Sequence, residues 1–142
     1  MAWHKIARRA KFPVYRPRQT LGLNLAGLVL DRDGCLLADW GKPTFSSQGP
    51  HFGVFELAGT IMCGQAGVAT QVATAVVNRV RLQVLVQCPT WPKCTIKDGE
   101  TKGEFLLFLP ERGAKHYTIQ LDSAHVSLSD FLKVARSFTR VR

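Results

Sequence analysis

Leu25-Ala26-Gly27-Leu28-Val29-Leu30-Asp31-Arg32-Asp33-Gly34-Cys35-Leu36-Leu37 holds two apolar runs separated by a polar tetrapeptide. The pattern predicts a strand over Leu25–Leu30, a hairpin turn at Asp31–Gly34 and a return strand over Cys35–Trp40. Asp-Gly accepts the positive φ angles that tight turns require. An antiparallel pair at this point argues for a chain built largely of meandering strands, and the flanking segments are read outward from it.

On the N-terminal side, Tyr15–Leu23 reads as extended, because Pro13 and Pro17 oppose helix. On the C-terminal side, Gly41–Pro50 is a loop of Gly, Pro and Ser. Phe52–Cys63 is ambiguous. Val54, Leu57, Ala58 and Ile61 fall at helical spacing, and the expectation is a short helix ended by Gly64. Val68–Val77 fits strand or helix. Arg79–Gln87 alternates, with Val80, Leu82, Val84 and Val86 on one face and Arg79, Arg81, Gln83, Leu85 and Gln87 on the other. Cys88–Cys94 is a loop stiffened by two prolines. A turn at Asp98-Gly99 precedes Glu104–Leu109, which is apolar enough for a buried strand. After a turn at Glu111–Ala114, Lys115–Leu121 alternates again.

The last element is a helix. Ser127 can cap it, with Asp130 as the capping-box partner. Leu128, Phe131, Leu132, Ala135 and Phe138 form one apolar stripe. Lys133, Arg136 and Arg140 fall toward its C-terminal end, where the helix dipole favours cations.

Charge is distributed unevenly. Residues 1–30 carry six basic side chains and no acid: Lys5, Arg8, Arg9, Lys11, Arg16 and Arg18. The last ten residues add Lys133, Arg136, Arg140 and Arg142, again without an acid. Residues 31–132 hold nine basic and ten acidic residues, so the net charge of +9 belongs to the two ends. Cations concentrated beside an ordinary core suit a polyanion, since each one set against a phosphate releases a condensed counterion. With 142 residues and 46% hydrophobic content, the chain can bury one core. No apolar run approaches bilayer length, and no long apolar block follows the first charges as a secretory signal requires. Met1–Gln19, Arg-rich and acid-free, instead looks like an organellar import segment.

Catalytic and metal chemistry find little support. Cys35, Cys63, Cys88 and Cys94 form no C-x-x-C pair, and His4, His51, His116 and His125 are scattered. The expectation is free thiols in a reducing compartment, with no metal and no cofactor. Asp31, Asp33 and Asp39 are close in sequence, yet Asp is common beside turns for backbone reasons. No phosphate-binding Gly-rich loop and no nucleophile–base spacing is present.

Four stretches resemble the Whirly family. Tyr15-Arg16-Pro17-Arg18-Gln19-Thr20-Leu21 resembles the Tyr-Lys-Gly-Lys-Ala-Ala-Leu segment of its plant members. Leu30–Leu37 is similar to their second hairpin, and Val54–Ile61 to their first helix. Tyr117–Leu121 followed by Ser127–Val141 is similar to their closing strand and helix. The resemblance spans roughly 15–141 and rests on the order of these segments. It implies an α+β fold of two antiparallel four-stranded sheets, each followed by a helix. It also implies binding of single-stranded nucleic acid across the sheets, and tetramers packed through the helices.

The resulting expectation is a basic N-terminal arm or retained targeting segment over 1–14 and a single Whirly-like domain over 15–142. Arg16 and Arg18, alternating on an extended segment, would meet consecutive phosphates, with Tyr15 stacking on a base. Lys5, Arg8, Arg9 and Lys11 would clamp the backbone as a mobile arm, and Arg79, Arg81, Arg140 and Arg142 would extend the track. Trp3, Trp40 and Trp91 are further stacking candidates. The expected role is an RNA-binding structural subunit of an organellar ribonucleoprotein, foremost the mitochondrial ribosome, in the mitochondrial matrix or a plastid. Its C-terminal helix would face protein neighbours through Leu128, Phe131, Leu132, Ala135 and Phe138. One rival is a free tetramer binding ssDNA or RNA in organellar genome maintenance, transcription or RNA processing. Another is a protein–protein subunit of a mitochondrial complex.

Overall fold

The computed structural model describes residues 2–32, 34–41, 49–58, 67–110 and 117–142. It is a mixed α+β structure. The elements run α1 (Ala2–Arg9), β1 (Tyr15–Pro17), β2 (Leu25–Leu30), β3 (Leu36–Trp40), β4 (His51–Ala58), β5 (Thr70–Val77) and β6 (Val80–Gln87). Then follow α2 (Ile96–Glu100), β7 (Glu104–Pro110), β8 (Tyr117–Ala124), α3 (Leu128–Ala135) and β9 (Phe138–Arg140). Among the described residues, seven strands form one antiparallel sheet in the order β2-β3-β4-β8-β7-β6-β5, and β1 and β9 form a separate two-stranded ribbon.

The expected two four-stranded sheets are therefore replaced by sheets of seven and two strands. The difference arises at Phe52–Ala58. Its expected short helix is strand β4, because Phe52, Val54 and Glu56 are buried on one face while Gly53 and Phe55 take the other. Period-two alternation prevails over the helical spacing. As a strand, β4 pairs with β8 along its whole length, from His51↔Ala124 to Ala58↔Tyr117. That pairing fuses the meander β2-β3-β4 to the meander β5-β6-β7-β8.

The opening hairpin forms as read. Asp31 N–H donates to the Cys35 carbonyl at 2.9 Å, and Cys35 N–H donates to Asp31 Oδ1 at 3.0 Å. Val68–Val77 resolves as strand β5, and Asn78 and Arg79 close the β5–β6 hairpin with φ of 50° and 71°. Arg79 is thus a turn residue rather than the first residue of a strand face. The expected turn at Asp98-Gly99 is instead the short helix α2, capped by Thr95 and Asp98 in a reciprocal capping box. The expectations for Asp33, residues 42–48, the helix end at Ile61–Gly64, Cys63 and residues 111–116 fall outside the described residues.

One face of the large sheet carries the core. Leu36, Trp40, Phe52, Val84, Phe105 and Leu107 join Phe131, Val134 and Ala135 of α3 and Trp3, Ile6, Phe12 and Val14 of the N-terminal segment. Trp3 stacks on Trp40 at 6.0 Å, Trp40 on Phe52 at 4.8 Å, and Phe105 lies 5.3 Å from Phe131. Each such side chain is worth about 1.5–3 kcal/mol of burial. The N-terminal segment is therefore no free arm. Trp3 and Ile6, three residues apart, dock α1, while His4, Lys5, Arg8 and Arg9 stay exposed. The C-terminal helix is shorter than its stripe. It is capped by Ser127 and ends at Ala135, so Phe138 belongs to β9.

Candidate nucleic-acid interface

The ribbon brings the two ends of the sequence together. Tyr15 pairs with Arg140, Arg16 with Thr139 and Pro17 with Phe138. Main-chain bonds extend the pairing, with Val141 N–H donating to the Val14 carbonyl at 2.8 Å and Arg18 N–H to the Ser137 carbonyl at 3.1 Å. His4 Nδ1 donates to the main-chain oxygen of Arg142 at 2.7 Å, joining α1 to the other end of β9. Beneath the ribbon, Glu56 is fully buried, and its Oε1 accepts from Tyr15 N–H at 2.6 Å. This hydrogen bond ties β1 to β4 and is worth about 0.5–1.5 kcal/mol.

Lys5, Arg8, Arg9, Lys11, Arg16, Arg18, Arg140 and Arg142 are all exposed on this end of the molecule. Pro17 turns inward between Arg16 and Arg18, so those two guanidiniums reach solvent as the alternation required. Arg8, Arg9, Arg16, Arg18, Arg140 and Arg142 form no ion pair among the described residues. Two other C-terminal cations are engaged structurally. Lys133 lies 3.5 Å from Asp130, and Arg136 Nε donates to the Val76 carbonyl at 3.2 Å.

A cavity of about 330 Å³ opens between the ribbon and the β5–β6 hairpin. Tyr15, Phe138 and Arg140 border it from the ribbon, and Asn78, Val80 and Leu82 from the hairpin. Arg79 adjoins this rim through Asn78. Arg81 does not, because Val80 and Leu82 line the cavity and the residue between them points to the opposite sheet face.

Other expected site residues move elsewhere. Trp3 and Trp40 are buried in the core and offer no platform to a base. Trp91 is 47% exposed, on the loop closed by a disulfide between Cys88 and Cys94. Cys35 is disulfide-bonded as well, which overturns the expectation of free thiols. Phe131 and Ala135 are buried within their own chain, and Leu128, Leu132 and Phe138 pack partly against the same core. Of the stripe expected to face neighbours, Phe131 and Ala135 are thus interior, whereas Leu128, Leu132 and Phe138 are half-buried.

Sequence reading missed one cluster. On the face opposite the core, Gly53 sits between Asp39 of β3 and Asp122 of β8. A Cβ at Gly53 would stand 3.0 Å from Asp122 Oδ1 and 3.1 Å from Asp39 Oδ1, so glycine is what lets the carboxyls converge. Burial, reinforced by Glu104 and Asp39, pushes the Asp122 carboxyl up to about 7, while a Gly53 main-chain hydrogen bond opposes the shift. Burial also raises Asp39, against the pull of His51. Asp31, by contrast, is spent on its own turn. Among the described residues, no three His, Cys, Asp or Glu side chains are grouped to hold a metal ion, and no helix is long and apolar enough to cross a membrane.

No family model, curated protein or solved structure matches this chain.

Proposed function

We propose that the chain binds single-stranded nucleic acid, RNA foremost, through the basic strip formed by α1 and the β1–β9 ribbon. The observation that carries this reading is the pairing of Tyr15–Pro17 with Phe138–Arg140, which joins two acid-free basic ends in one ribbon, with Arg16 and Arg18 on one ribbon face and Arg140 on the other. Phosphates would lie along Arg16, Arg18, Arg140 and Arg142, with Lys5, Arg8, Arg9 and Lys11 flanking them. Arginine forks suit this because they bond phosphate oxygens in pairs. A docked helix loses less entropy on binding than a mobile arm would. Arg81 lies on the other sheet face and stands outside this strip.

The role in view remains a structural subunit of a ribonucleoprotein, with the mitochondrial ribosome as the leading setting. Assembly through the C-terminal helix is no part of the proposal, since Phe131, Val134 and Ala135 of that helix are buried in the core. An acid-free basic N-terminus fits organellar import, whereas the Cys88–Cys94 disulfide fits an oxidising compartment. Sedimentation of a gentle lysate, with and without ribonuclease, tests the reading. Migration in a large particle that collapses after ribonuclease supports it. A large particle indifferent to ribonuclease points instead to a subunit of a protein complex.

A further inference from the structure

We infer that the cavity between the ribbon and the β5–β6 hairpin receives a nucleobase, whose attached phosphate rests on Arg140. The inference rests on the phosphate-binding reading of the ribbon and names what that strip does besides hold charge. Three features carry it. The cavity, about 330 Å³, falls at the small end of the range of about 300–1,000 Å³ typical of ligand pockets. Its walls are apolar, with Leu82, Ile119 and Phe138 among them, so a base leaving water buries both faces. Its rim supplies groups of different kinds: the Tyr15 ring for stacking, the Asn78 amide for a base edge and the Arg140 guanidinium for a phosphate.

The register strengthens the assignment. Tyr15 and Arg140 are directly opposed across the ribbon, so their side chains share a face. A base against Tyr15 therefore brings its own phosphate toward Arg140, while Arg16, on the other ribbon face, remains for a neighbouring phosphate. Among the described residues, no acidic side chain lines the cavity, which matches an anionic ligand. The Glu56 bond to Tyr15 N–H holds the ribbon at this height above the sheet.

The full chain is titrated at low salt with a single-stranded RNA pentamer carrying a central 2-aminopurine, and with the same pentamer lacking its bases. The inference expects the abasic strand to bind about tenfold more weakly, in line with the worth of one stacked base. It also expects the 2-aminopurine fluorescence to be quenched on binding. Both effects vanish in Val80→Trp, which fills the cavity from a residue that is 44% exposed and so tolerates replacement. Tyr15→Leu keeps the bulk and loses the quenching. AMP competing with the pentamer identifies a free nucleotide as the ligand source, and AMP without effect identifies the strand. Equal affinity of both pentamers, with unchanged salt dependence in Val80→Trp, overturns the base pocket and leaves the phosphate strip standing. Displacement by decanoate but not by AMP overturns it in favour of an aliphatic anion. Absence of binding by either pentamer removes the phosphate reading and the pocket with it.

Discussion

Tyr15 stands directly opposite Arg140 in the β1–β9 ribbon, and both border one cavity. The pair lies 125 positions apart in sequence yet joins the two stretches that hold the molecule's excess positive charge. Two short strands thereby gather scattered terminal cations onto one ribbon.

The ribbon depends on Glu56. Replacing it by Ala removes the acceptor for Tyr15 N–H and leaves that donor without its partner. The expected loss is about 1–3 kcal/mol, read from urea unfolding. Glu56→Gln keeps an acceptor and should lose less. A Glu56→Ala protein as stable as the parent would show that the ribbon is not anchored through this bond.

Residues 2–9 belong to the folded body. Trp3→Ala removes one ring of the Trp3–Trp40–Phe52 stack and should lower stability by about 3–5 kcal/mol, as should Phe131→Ala at the other side of the core. Thermal unfolding measures both. A negligible effect of Trp3→Ala would restore the detachable arm expected from composition.

Much of the β structure was legible from local pattern. Leu25–Leu30 and Glu104–Leu109 emerge as strands because their apolar runs end in turn residues, and Ser127 caps α3 as its spacing implies. The misreadings have a common physical origin in contacts distant in sequence. Phe52–Ala58 carries both periodicities, and only pairing with β8 selects the strand. Phe138 continues the helical stripe, but β9 forms because β1 offers it an edge. The basic residues were legible as candidates, whereas their convergence was not. Nor was the approach of Asp39 to Asp122, which follows from a register that local sequence does not encode.

Asp122 makes stability depend on pH. Its folded pKa of about 7 lies above the ordinary 3.8, so the folded state holds the proton more tightly. The stability this confers is fully present below about 3.8 and is lost as pH climbs through about 7. Asp122→Asn should remove most of that slope and exceed the parent in stability at pH 8. Urea midpoints from pH 4 to 8 compare the two, and parallel curves would contradict the shifted carboxyl.

The Cys88–Cys94 disulfide closes a short loop with a sequence separation of 6. Cys88→Ser should lower stability by about 2 kcal/mol on the loop-entropy relation. Mass spectrometry after alkylation of the freshly lysed source, without reductant, checks its state in place. Alkylated Cys88 and Cys94 would return the chain to a reducing compartment.

The most direct measurement is the salt dependence of binding to a single-stranded RNA oligomer. It compares the parent, the triple variant Arg16→Ala/Arg18→Ala/Arg140→Ala, and Arg81→Ala. Each lost phosphate contact should flatten the slope of log affinity against log salt by about 0.7, so the triple variant should lose about 2. Arg81→Ala, on the opposite sheet face, should match the parent. Equal slopes in parent and triple variant, or a loss confined to Arg81→Ala, would contradict the ribbon as the nucleic-acid surface.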